Sequence, residues 1–127
     1  MIKITFLGGA DEVGASCSLL ELAGKRILIE CGIRMSPRNG DVLPWLAPIQ
    51  EGGGLDAIIL THAHMDHSGA MPVIHQSYPD IPVYMTSATL SLMTILLLDS
   101  LKIMQSDYEK EGELPLYPEA SVEGLIQ

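Results

Sequence analysis

Ile2-Lys3-Ile4-Thr5-Phe6 alternates apolar and polar positions, the period-two pattern of a strand with unlike faces. Ser18 to Leu22 and Arg26 to Glu30 read as two further strands, joined by the turn Ala23-Gly24-Lys25. Between the first two strands lies Gly8 to Ser16, whose three glycines mark a turning loop. No Gly-Lys-Ser/Thr follows it, and a strand rather than a helix comes next, so it is not a phosphate-cradling loop. Ala57-Ile58-Ile59-Leu60 is a short apolar run bounded by polar residues, the pattern of a buried strand. Gly69 to Tyr78 reads as a helix, with Ser68 as its cap and Pro72 tolerated in its first turn. Ile81 to Met85 gives another strand. A long helix then runs from about Ala88 to Tyr108, capped by Thr86-Ser87 and apolar around most of its circumference. That distribution predicts burial on more than one side. Asp107 to Glu113 reads as an acidic, solvated stretch, and Pro118 to Ile126 as a final short helix with its proline near the start.

Strands that alternate with helices in this way make an α/β (α+β) chain. Its one long connection, residues 33 to 56, contains Pro37, Pro44, Pro48 and the run Gly52-Gly53-Gly54. A connection of that length inside a compact domain suits a functional loop. Trp45, the sole tryptophan, sits there in an apolar turn, Val42 to Leu46.

Composition narrows the picture. The chain has 127 residues, 47% of them hydrophobic, enough for one domain with a modest core. A net charge of −9 argues against a broad nucleic-acid-binding face. It leaves room for a phosphodiester substrate, because two divalent ions reverse the sign locally. Cys17 and Cys31 fit no Cys-x-x-Cys pattern and lie beside apolar stretches, so they read as small buried thiols rather than a disulfide or a metal site. There is no basic-then-apolar leader and no uninterrupted apolar run near the ~18 residues of a bilayer span. The expectation is a cytoplasmic protein with no membrane partner.

Chemistry concentrates at Thr61-His62-Ala63-His64-Met65-Asp66-His67-Ser68-Gly69. Three of the four histidines fall within six positions, with an aspartate among them, where a strand gives way to a helix. Open α/β sheets place their sites at such strand ends. Imidazole and carboxylate together suit a borderline metal such as zinc. In an extended segment residues two apart point the same way, so His62 and His64 can share one ion. Asp66 and His67 follow as the chain turns and point elsewhere, which favours two ions side by side. Paired ions about 3.5–4 Å apart activate water against phosphoryl or acyl centres. His75 lies eight residues past His67, roughly 12 Å along a regular helix, too far to join them. Glu30 closes a strand and has two readings, a solvated carboxylate or a group that supports the metal-binding loop. Arg34 and Arg38 are the clustered cations near the site, either phosphate contacts or solvated loop charges.

The stretch His62-Ala63-His64-Met65-Asp66-His67 resembles the metal-binding signature of the metallo-β-lactamase superfamily. Gly8 to Cys17, Glu30-Cys31-Gly32-Ile33, Thr61 to Pro72 and Pro82 to Thr86 together resemble its β-CASP branch, which includes ribonuclease J-like enzymes and the endonuclease of mRNA 3′-end formation. The resemblance covers nearly the whole chain. It implies the N-terminal half of an αββα sandwich, with His62 and His64 on one zinc and Asp66 and His67 on the other. It implies hydrolysis of an RNA backbone, with Asp66 helping to orient the attacking hydroxide. The family has Asp where this chain has Glu30. A further His for each ion, a bridging Asp and the branch's nucleic-acid-binding insertion would come from later sequence. This chain by itself is therefore expected to be inactive, to hold Zn2+ weakly or not at all, and to self-associate through an uncovered apolar face. Two other readings stay open. One is a superfamily hydrolase of thioesters, lactones or lactams, and the other is a non-catalytic interaction module.

Overall fold

A computed structural model of the protein describes residues 1–34, 41–111 and 116–126. One five-stranded sheet organises it, with spatial order matching chain order: β1 (Ile2–Gly8), β2 (Cys17–Leu22), β3 (Lys25–Ile29), β4 (Ala57–Ile59) and β5 (Val83–Tyr84). β1 to β3 form an antiparallel meander, whereas β4 and β5 join in parallel. Parallel neighbours need crossovers, and these carry helices. α1 (Ala47–Glu51) lies in the first crossover, α2 (Met65–Ser68) and α3 (Met71–Ser77) in the second. α4 (Ser87–Glu111) and α5 (Glu119–Ile126) follow. The mixed sheet with helices is the architecture expected of the N-terminal part of the sandwich.

Register explains the core. Leu19 pairs with Leu28, and Leu28 with Ile58, so the three share one face of the sheet, and all are buried. Ile49 of α1, Met71 and Ile74 of α3, Met93, Leu97 and Leu101 of α4, and Val122 of α5 complete the cluster on that face. Burying a side chain of this size stabilises by roughly 1.5–3 kcal/mol. Arg26 ties α1 to β3: its guanidinium donates to the carbonyls of Pro48, Ile49 and Gly54 at 3.0, 2.9 and 2.7 Å. The planar fork of arginine suits three converging acceptors.

The other face of the sheet is apolar and bare. Ile2, Ile4 and Phe6 lie across from Leu22, Leu20 and Ser18, and the row continues through Ile27, Ile29 and Ile59 to Tyr84. Ile2, Ile4 and Phe6 are each more than half exposed. The alternation that marked β1 as a strand therefore turns its apolar side away from the helices, as in the middle layer of a sandwich.

Three expectations need correction. The helix expected over Gly69 to Tyr78 is shorter, α3 from Met71, and a separate helix, α2, precedes it across the turn Gly69-Ala70, so Ser68 ends α2 instead of capping α3. Glu30 lies just past β3 and not within it, with φ of +66°. α4 buries one stripe, Thr89, Met93, Leu97 and Leu101, while Leu92, Ile95, Leu98 and Ile103 face outward. By length and composition the segment Ser87–Lys110 could cross a membrane. Its buried stripe of Met93, Leu97 and Leu101 belongs to the core cluster.

Candidate metal centre

The site grows from the ends of β3 and β4. After Ile29 the chain turns through Glu30, whose N–H still donates to Ile59 at 2.9 Å. Residues 31 to 33 then run between two other backbones. Gly32 N donates to Ser16 O at 3.0 Å, Ser16 N to Asp66 O at 3.0 Å, Ile33 N to Met65 O at 3.0 Å and Cys31 N to His67 O at 2.9 Å. The glycine-rich loop, the end of β3 and α2 are thus clasped backbone to backbone. A Cβ on Gly32 would run into the Asp66 carbonyl and lie 2.7 Å from His67 N. Only glycine allows that approach.

On this frame the four candidate donors lie as two neighbouring pairs. His62 and His64 stand two apart on the extended segment after β4, with ring centroids 4.3 Å apart and His62 Nε2 2.7 Å from His64 Nδ1. His64 then caps α2 in an extended conformation, and one helical turn brings in Asp66 and His67. His67 lies 4.8 Å from His62, centroid to centroid. Its Nε2 is 3.5 Å from Asp66 Oδ2, and its Nδ1 is 2.6 Å from Glu30 Oε2. The other oxygen of Glu30 accepts the Thr61 N–H at 2.6 Å. A carboxylate only accepts, so Nδ1 of His67 carries a hydrogen and donates to Glu30, which leaves Nε2, on the Asp66 side, as the nitrogen that can bind an ion. Glu30 is 5% exposed, which fits a supporting group better than a solvated one.

A tetrahedral zinc with donors at about 2.0–2.1 Å sets those donors about 3.3 Å apart. The Asp66–His67 pair already has nearly that spacing. The His62–His64 pair, closed on itself by a hydrogen bond, needs to open by roughly 0.6 Å. Among the described residues no three donors converge on one point, so each ion would receive two ligands from this chain.

Arg34 is engaged away from any phosphate. Arg34 is committed to the Glu12 carboxylate, at 2.6 Å from Nε and 3.2 Å from Nη2, and to the Leu43 carbonyl; Arg38 lies outside the described residues. The bidentate pair clips the Gly9–Gly14 loop to residues 41–43. Hydrogen bonding to Arg34 holds the Glu12 carboxyl below its ordinary 4.5. A depressed folded-state pKa gives a stabilisation that is complete above 4.5 and lost as pH falls through the lower value. The melting-temperature gap between wild type and Glu12→Gln is therefore expected to hold from pH 7 to 5 and to close in more acidic buffer, as thermal melts across that range would record.

Sequence spacing did not anticipate the neighbourhood of Cys17 and Cys31. Both are buried and free, and Cys31 is pushed well above the ordinary thiol range by the adjacent Cys17 and by burial. Such thiols are inert. The clasp through Ser16 and Gly32 was also missed. Its one sequence signal was the glycine after Glu30-Cys31.

Residues 10–123 match the family model of the metallo-beta-lactamase superfamily. The chain is 38% identical over 126 residues to transcription termination factor FttA of Methanocaldococcus jannaschii, across 99% of this chain and 19% of that protein. It is 40% identical over 111 residues to FttA of Methanothermobacter thermautotrophicus, across 84% of this chain and 17% of the relative. It is 35% identical over 131 residues to Integrator complex subunit 11 of Gallus gallus, across 99% and 21%. The chain thus spans about a fifth of the length of these curated relatives.

Proposed function

This chain belongs to the metallo-beta-lactamase superfamily, and from that membership we propose that it supplies half of the metal site of a β-CASP-type hydrolase that cuts RNA phosphodiester bonds. The observation that carries the reading is the Glu30–His67–Asp66 arrangement, with the outer imidazole nitrogen held at Glu30 and the inner one 3.5 Å from Asp66 Oδ2. Nitrogen and oxygen donors in this mixture suit zinc. His62 Nε2 and His64 Nδ1 would hold one ion, and Asp66 and His67 Nε2 the other. When bound, such ions acidify a water for attack on phosphorus and offset charge on the phosphoryl oxygens. The chain's own residues prepare for that. Glu30 fixes the His67 tautomer and, through Thr61 N–H, the start of the histidine segment. Ser16 N and Ile33 N hold the α2 backbone, so Asp66 and His67 are aimed before any ion arrives.

The names of the relatives support RNA as substrate, since terminating transcription is work done at a nascent transcript. A cytoplasmic setting agrees with two reduced, buried thiols. The remaining ligands come, in this reading, from sequence outside these 127 residues. Two donors per ion bind weakly. Dialysed chain is expected to hold well under one zinc by elemental analysis, and stoichiometric zinc would contradict that. The function itself is tested in a protein that joins these residues to such further sequence, with labelled RNA. Cleavage should vanish on chelation, return with zinc, and be lost in His64→Ala. Cleavage indifferent to chelation, or turnover of thioesters, lactones or lactams in its place, would overturn it.

The bare sheet face supports a reading about assembly. On its own, the chain should pair with a second copy through the Ile2, Ile4 and Phe6 side of the sheet. Light scattering should give a dimer or larger species, and Phe6→Glu should shift it to monomer. A clean monomer at high concentration would rule the pairing out.

A further inference from the structure

Ser68 is fully buried at the end of α2, and its hydroxyl lies 2.7 Å from the carbonyl of Ala63 and 3.1 Å from that of His64. The two carbonyls differ in their other partners. His64 O already receives the N–H groups of His67 and Ser68, both at 2.9 Å. Among the described residues, the Ser68 hydroxyl is the one donor to Ala63 O. Ala63 is itself buried, so this carbonyl depends on that hydroxyl to be satisfied.

The dependence bears on the site because the Ala63 carbonyl belongs to the peptide between Ala63 and His64. Two residues of an extended segment share a face only while the peptides between them keep their orientation. A rotation of this peptide toward water would swing the His64 ring away from His62 and break the 2.7 Å approach of Nε2 to Nδ1. Asp66 and His67 would be spared, because they are held from the other side by Ser16, Ile33 and Glu30.

We propose that Ser68 is a positioning residue, whose hydroxyl locks the Ala63–His64 peptide so that His62 and His64 converge on one point. The proposal rests on the metal reading of these histidines for its purpose, but the convergence can be measured without metal. The chain has four histidines, few enough to follow singly by NMR in metal-free, isotope-labelled protein. Wild type should show a strong cross-relaxation peak between the His62 and His64 rings. In Ser68→Ala that peak should fall at least fivefold while the His67 resonances stay in place, and Ser68→Thr, which keeps the hydroxyl, should restore it. Cobalt(II) affinity, read by visible absorption, should drop by about tenfold in Ser68→Ala. A purely structural serine would lower the melting temperature and leave the ring contact alone. Should Ser68→Ala fail to fold, Ser68→Cys fills similar space with a much weaker donor and should show the same loss. A folded hydroxyl-free variant with an unchanged His62–His64 contact overturns the proposal. Cobalt uptake too weak to read agrees with two donors per ion, so the ring contact decides the role of Ser68, while the metal reading itself falls only if RNA cleavage by the longer protein is indifferent to chelation.

Discussion

Gly32→Ala is expected to lower stability by about 3 kcal/mol and to abolish metal uptake at the Asp66–His67 pair. The added methyl group would meet the Asp66 carbonyl and the His67 N–H, both backbone atoms in a clasped segment that cannot rotate aside. Relief requires separating residues 31–33 from α2, which breaks the bonds from Cys31 N to His67 O and from Ile33 N to Met65 O. In a chain of this size that corresponds to a fall in melting temperature of roughly 10 °C. Thermal melts with cobalt(II) titrations would check it. Wild-type stability in the alanine variant would mean that the close approach of the two backbones does not exist.

Glu30→Gln should have the largest effect on the metal site with the smallest change in shape. The carboxylate accepts twice, from Thr61 N and from His67 Nδ1, each at 2.6 Å. A carboxamide has one accepting end. If its oxygen keeps Thr61, its NH2 faces His67 Nδ1 and favours the tautomer with hydrogen on Nε2, the atom that would bind metal. If it flips, it sets donor against donor at Thr61. In the first case both bonds survive but the hydrogen occupies the metal-binding nitrogen, and in the second one bond is lost, at about 1–3 kcal/mol for the group left unpaired; either way metal affinity should fall 10- to 100-fold. Glu30→Asp keeps both acceptors on a shorter arm and should lie between the two. Calorimetric zinc titrations of the three proteins would show the order, and equal affinities would mean that Glu30 does not set the tautomer.

The strands and the histidine cluster were legible because each rests on local rules. Period-two alternation found β1, turn residues found the β2–β3 hairpin, and the crowding of His62, His64, Asp66 and His67 marked a candidate site, which lies just past the end of β4. What escaped depends on distant partners. Nothing local says that Ile2, Ile4 and Phe6 face away from the helices, because alternation gives two faces without saying which is covered. The break between α2 and α3 follows from Ala70 N reaching back to Cys31 O, a bond across 39 positions. Ser68 looked like a cap by its neighbours and proved to reach back to Ala63. Arg34 looked free for a phosphate until the fold brought Glu12 to it.

The most direct test is anomalous diffraction at the zinc edge from a crystal of the chain soaked in excess zinc. Two peaks about 3.5–4 Å apart are expected, one against His62 and His64 and one against Asp66 and His67, with Glu30 still bonded to His67 Nδ1. Histidines splayed apart with no density between them, at zinc concentrations that occupy other surface sites, would contradict the account.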